Sequence, residues 1–188
     1  MNIIFLADPN SPCSIAGVAF IINKKRITLK QCVIHELIPG RALFLKIKWH
    51  ESETTSLVNI YAPTHKPSHP SFWMKLQEEH SALQLPNPDF LLGDFNVTED
   101  PIDWAPVHPD DQAAVTALRE LRLAWNLEDT WHHLHPRECA YTYQATTNGQ
   151  QIQSRLDHIY ITKHLSPLTF NWKHKPLPVP TDHWLVKV

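Results

Sequence analysis

The chain has 188 residues, 43% hydrophobic and 19% charged, which excludes a disordered chain and suits one domain, spanning residues 1–188, with a sizeable core. A formal net charge of -2 provides no global basic footprint, so any nucleic-acid contact must come from a local patch. No apolar run approaches the roughly 20 residues a membrane-spanning helix needs, and residues 1–6 are too short, and lack the basic start, for a signal peptide.

Ile3, Ile4, Phe5 and Leu6 form a short buried run, closed by the turn-rich stretch 8–12. Residues 17–22, Gly-Val-Ala-Phe-Ile-Ile, read as a core strand, followed by the polar turn Asn23, Lys24, Lys25 and Arg26. Residues 27–37 are a further strand region, stopped at Pro39 and Gly40. The next ten residues alternate, with Leu43, Leu45, Ile47 and Trp49 on one face and Lys46, Lys48 and His50 on the other. Residues 56–61 are strand again, ended by Ala62 and Pro63. Ser71 is placed to cap a helix carrying Phe72, Leu76 and Leu83. Asp110 or Asp111 is placed to cap a longer one, whose apolar stripe is Ala114, Val115, Leu118, Leu121 and Trp125. Strand returns at 89–92 and 155–161, and Asn148-Gly149, between Tyr143 and Ile152, marks a hairpin. The pattern predicts a mixed α+β domain of mainly antiparallel strands with helices outside.

Chemistry-bearing residues sit at the strand ends. Gly93-Asp94-Phe95-Asn96 follows an apolar run and delivers an acid and an amide to one place. Ser154, Arg155, Leu156, Asp157 and His158 come later, and Thr181, Asp182 and His183 close the series. Two carboxylates, an amide and a carboxylate–histidine pair in that order suit phosphodiester hydrolysis. Each motif alone is weak; Asp-Phe-Asn is also an ordinary turn. His132, His133 and His135 have no cysteine or carboxylate partner at zinc spacing and read as a solvated loop. Cys13, Cys32 and Cys139 are widely spaced and odd in number, which points to reduced thiols in an intracellular setting, nuclear or cytoplasmic.

Taken together, Gly17-Val18-Ala19-Phe20-Ile21, Val58-Asn59-Ile60-Tyr61-Ala62-Pro63, the Gly-Asp-Phe-Asn tetrad, 154–158 and 181–183 resemble the landmarks of the endonuclease/exonuclease/phosphatase superfamily, typified by deoxyribonuclease I. Within it, Ile38-Pro39-Gly40-Arg41-Ala42-Leu43 and the stretch after Asn96 are most similar to endonuclease domains of fungal non-long-terminal-repeat retrotransposons. The resemblance implies a sandwich of two β-sheets with helices on both outer faces. It also implies a Mg²⁺- or Mn²⁺-dependent phosphodiesterase acting on DNA. His183 would act as base or phosphate-stabilising imidazole, held by Asp157. Asp94 would position the attacking water or protonate the leaving oxygen, Asn96 would donate to a phosphate oxygen, Asp182 would lie near the metal, and Tyr61 would contact the phosphate. Arg155 would reach a phosphate, and Thr142 and Asn148 would belong to a hairpin lying in the minor groove.

The superfamily's domain opens with an asparagine-ended strand and then a glutamate-ended strand, the glutamate being the principal Mg²⁺ ligand. Residues 1–12 supply neither, so the chain is expected to start after that pair, with metal binding weakened. Two other readings stay open: a phosphatase for small molecules or lipids, and an impaired or domesticated module that binds DNA or protein. A sheet lacking its opening strand is also expected to leave unpaired backbone, which a homodimer would repair near residues 3–6 or the strand 18–22.

Overall fold

The computed structural model describes residues 1–7, 17–50 and 53–188, without the side chains of Trp49 and His50. The turn expected at 8–12, Cys13, and the facing of Trp49 and His50 lie outside the described residues.

Two apolar runs pair first. β1 (Asn2–Ala7) and β2 (Gly17–Ile22) form an antiparallel pair with Asn2 opposite Ile22. Val18 and Ile22 are buried, whereas Ile3, Phe5 and Ile21 are 65%, 63% and 64% exposed, so this pair is core on one face only. The strand expected from residue 27 begins later. Leu29–Gln31 forms a single 3₁₀ turn, and β3 (Val33–Ile38) follows it. β4 (Ala42–His50) and β5 (Glu53–Tyr61) continue antiparallel.

α1 (His69–Ala82) begins two residues before the expected cap. Ser68 holds the N-cap position and Pro70 the first turn, where a missing N–H costs nothing. Ser71 is inside the helix, its hydroxyl donating to the Ser68 carbonyl. Phe72 and Leu76 are buried as expected, and Leu83 sits at the C-cap, 44% exposed. Because α1 carries the chain across, β6 (Phe90–Asp94) pairs parallel to β5, while the remaining strand pairs are antiparallel.

After β6 come β7 (Trp104–Ala105), α2 (Gln112–Ala124), β8 (Leu127–Glu128) and α3 (Thr130–Leu134). Asp111 is the α2 cap, accepting from the Ala114 N–H at 3.0 Å. β9 (Tyr143–Thr147) and β10 (Gln150–Ser154) form the expected hairpin, with positive φ at both Asn148 and Gly149. β11 (Asp157–Thr162), β12 (Lys173–Pro176) and β13 (Trp184–Lys187) complete the chain.

The main sheet has six strands, ordered β3-β4-β5-β6-β11-β8. α1 and α2 cover one face, packing Trp73, Leu76, Leu118 and Leu121 onto Phe44, Val58, Leu91 and Tyr160. Full burial of one such leucine contributes about 2 kcal/mol. On the other face Ile22 meets Leu45 and Ile47, and β13 lies near Leu92 and Ile159. With both faces covered, the alternation expected in β4 fails in its first half: Ala42, Leu43, Phe44 and Leu45 are all buried. The architecture is α+β.

Candidate active site

Three side chains come into one row by register. β5 and β6 pair Tyr61 with Asp94, and β6 and β11 pair Asp94 with Asp157. Adjacent strands lie about 4.8 Å apart, so the phenol and two carboxylates are neighbours at one end of the sheet. Gly93 permits this. Its φ is +131°, and a Cβ there would collide with the Ile60 carbonyl.

Asp94 is fixed by its own turn. Asn96, at φ +51°, donates its backbone N–H to Asp94 Oδ1 at 3.0 Å. The Asn96 side-chain amide donates to Asp94 Oδ2 at 3.2 Å and to the Ala62 carbonyl at 3.0 Å. Both N–H groups of that amide are thus engaged, which corrects the expected donation to phosphate: Asn96 orients Asp94.

The second carboxylate of this row carries a histidine. His183 Nδ1 lies 2.8 Å from Asp157 Oδ2, as the sequence order implied. The backbone around the pair is clamped. The Asp157 N–H donates to Thr142 Oγ1 at 3.0 Å, the Trp184 N–H to the Thr142 carbonyl at 2.7 Å, and the Gln144 N–H to the Asp182 carbonyl at 3.0 Å.

These groups open on a cleft of about 670 Å³, lined among others by Tyr61, Asp94, Asn96, Asp157, Asp182 and His183. Burial raises the Asp94 pKa to about 6, reinforced by the neighbouring Asp157 charge and opposed by the Asn96 N–H. The hydrogen bond to Asp157 raises that of His183 against a smaller opposing effect of burial. Low-dielectric surroundings thus keep one acid weakly acidic beside an imidazole that favours its cation.

Asp94, Asp157 and Asp182 are oxygen donors of the kind hard cations take. Yet among the described residues no group of three or more His, Cys, Asp or Glu side chains is placed to hold a metal ion. The described residues therefore do not by themselves complete the Mg²⁺ or Mn²⁺ site that was expected.

Two of the three expected substrate contacts are held inside the fold. Arg155 is 3% exposed and makes two hydrogen bonds to Asp103, both 2.9 Å, and two to Asp129, at 2.6 and 3.4 Å. Burial would disfavour its charge, but the two carboxylates outweigh it and raise its pKa. It is a core ion-pair residue, not a phosphate contact. Thr142 is fully buried, and its hydroxyl serves Asp157, so it does not face a groove. Asn148 sits at the exposed hairpin turn and is not among the cleft-lining residues. In the histidine-rich segment, His132 meets Asp100 at 3.5 Å and His135 meets Glu138 at 2.9 Å.

The cleft also contains residues that the motifs did not single out: Thr64, Lys66, Trp104 and Tyr143. Lys66 pairs with Asp110 at 3.0 Å and lies 5.5 Å from the Trp104 ring centroid. Its place just after the Tyr61-Ala62-Pro63 strand end was a usable signal. Trp104 arrives through the β7–β10 pairing with Ser154, which no local pattern announces.

No protein-family model matches the chain. Over 130 residues, 69% of this chain, it is 36% identical to the "Transposon TX1 uncharacterized 149 kDa protein" of Xenopus laevis. The chain spans only 10% of that relative's length. Among solved structures, it is similar to the endonuclease domain of TRAS1, a telomere-specific non-LTR retrotransposon, with a TM-score of 0.72 at 15% identity. That match covers 97% of this chain and 77% of the other. The AP endonuclease LMAP from Leishmania major matches with a TM-score of 0.62 at 20% identity, over 78% of this chain and 53% of that one. A 3'-5' exonuclease from Neisseria meningitidis matches with a TM-score of 0.61 at 19% identity, over 79% and 64%.

Proposed function

The chain has the DNase I-like fold of the endonuclease/exonuclease/phosphatase superfamily, and from that premise we propose that it cleaves DNA phosphodiesters as a retrotransposon-type endonuclease. The observation that carries this reading is the Asp157–His183 hydrogen bond of 2.8 Å, opening on the cleft that also holds Asp94, Tyr61 and Asp182.

Each role follows from its environment. Asp94, ionised above about pH 6, takes the proton of the attacking water. Asn96 holds that carboxylate toward the water through its two hydrogen bonds. Asp157 occupies His183 Nδ1 and leaves Nε2 to donate to a phosphate oxygen as charge builds there. The raised His183 pKa favours the cation this step needs. The Tyr61 hydroxyl supplies a second donor from the adjacent strand. A divalent cation would neutralise phosphate charge, with Asp94 and Asp182 offering oxygens and further ligands needed beyond those grouped among the described residues.

That incomplete ligand group favours one other reading, a module that binds DNA without cutting it. A substrate panel separates them. Supercoiled DNA, a phosphate diester and a phosphate monoester are each incubated with the chain and Mg²⁺ or Mn²⁺. Cleavage of DNA and the diester supports the endonuclease, monoester turnover alone supports a phosphatase, and DNA binding without turnover supports the module.

A further inference from the structure

The cleft does not attract a polyanion by its own charge. It presents Asp94, Asp157 and Asp182 against His183, and its lysine, Lys66, is already paired with Asp110. If the proposed reading holds, the charge that draws DNA lies elsewhere. The sequence is strongly polarised. Residues 17–50 contain seven Lys or Arg and one acid, Glu36, a net of +6 that leaves -8 to the rest of a chain whose total is -2.

Four of those cations are grouped on built backbone. Lys24, Lys25 and Arg26 occupy the turn that follows β2, and Lys30 lies in the 3₁₀ turn just after it. All four are exposed, and none has an ion-pair partner among the described residues. The turn is held by Asn23, whose carbonyl accepts from the Arg26 N–H at 2.9 Å and the Ile27 N–H at 3.1 Å. The Asn23 side chain accepts from the Lys25 N–H at 3.0 Å. Beneath the turn, Ile27, Leu29 and Cys32 pack on Ile22, Leu45 and Ile47. Ile47 pairs with Thr55, six residues before Tyr61 on β5. At about 3.3 Å per residue this sets the turn roughly 20 Å along the sheet from the cleft wall.

We propose that Lys24, Lys25, Arg26 and Lys30 form a docking surface for the phosphate backbone of duplex DNA, separate from the cleft. The surface rests on the endonuclease reading only in having DNA as its natural occupant; the same phosphates are offered by RNA. Lysine ammonium groups on a fixed turn, with no acid among them, meet phosphates as point charges without reading bases. Each phosphate neutralised adds about 0.9 to the slope of log affinity against log salt for a duplex.

The test is binding, kept apart from cleavage. In a His183→Ala background with chelator, fluorescence anisotropy measures the affinity of a 30-base-pair duplex and of a single-stranded RNA between about 50 and 200 mM salt. The variant is Lys24→Glu/Lys25→Glu/Arg26→Glu. An equal-charge control, Lys75→Glu/Lys163→Glu/Lys187→Glu, alters exposed lysines elsewhere. The proposal expects at least tenfold weaker binding and a salt slope reduced by about 2 to 3 in the turn variant alone. Loss on the duplex, with or without loss on the RNA, is the expected result, and loss on the RNA alone would overturn duplex DNA as the occupant. Equal losses in both triple variants, or no loss in either, would overturn the docking surface, as would binding of anionic vesicles without binding of either nucleic acid. The cleavage reading would stand or fall separately, on nicking by the unaltered chain.

Discussion

Asp157 Oδ2 lies 2.8 Å from His183 Nδ1, although the residues are 26 apart in sequence and come from different segments of the fold. The pairing depends on Thr142, whose hydroxyl accepts from the Asp157 N–H and whose carbonyl accepts from the Trp184 N–H, next to His183. One buried threonine thus fastens both partners.

Thr142→Val removes the hydroxyl and leaves the Asp157 N–H buried without an acceptor. A cost of about 1–3 kcal/mol in stability is expected, with a fall in kcat larger than any change in KM. Thr142→Ser should restore both. Unfolding curves and steady-state nicking on the three proteins measure this. If serine fails to rescue while valine folds normally, the hydroxyl does not hold the pair.

The rate should be bell-shaped in pH. Asp94 must be ionised, which sets an acid limb near pH 6. His183 must be protonated, which sets an alkaline limb above the ordinary imidazole value, because its pKa is raised by Asp157. Asp157→Asn should move the alkaline limb downward. A rate still climbing at pH 9 would exclude the cationic role of His183.

Asp94 should also carry a stability cost. Its folded pKa lies above its unfolded value, so the folded state binds the proton more tightly. The stability that proton gives is present at low pH and lost as pH rises through about 6. Asp94→Asn should therefore be more stable than the parent by about 1–3 kcal/mol at pH 8, show little gain at pH 4, and be inactive. Denaturant melts at both pH values provide the comparison; equal stabilities at pH 8 would show that the buried charge costs nothing.

Arg155 should behave as core. Arg155→Ala leaves the Asp103 and Asp129 carboxylates unpaired, and a loss of about 3–5 kcal/mol is expected. A variant that melts like the parent but binds DNA more weakly would return Arg155 to the substrate.

What could be read from the sequence is what lies on consecutive residues. Gly93 to Asn96 announced a strand end because glycine, acid and amide are each used locally: close approach, charge and turn. The Asn148-Gly149 hairpin and the α2 stripe were legible for the same reason. Arg155 was not, because its acids lie 52 and 26 residues away and a core arginine looks like a surface one in sequence. Thr142 was misread likewise: the partner of its hydroxyl, the Asp157 N–H, lies 15 residues further on. Asn96 showed its position but not the use of its amide, which depends on the Ala62 carbonyl. Lys66 joined the cleft through loop packing and Trp104 through a strand pairing, neither of which any periodicity records.

The most direct measurement is nicking of supercoiled DNA by the chain with Mg²⁺ or Mn²⁺, beside His183→Ala and Asp157→Asn. Conversion to open circle by the parent, lost in His183→Ala and reduced in Asp157→Asn, is the expected result. Nicking that persists in His183→Ala, or no nicking by the parent with either metal, would contradict a catalytic cleft built on this pair.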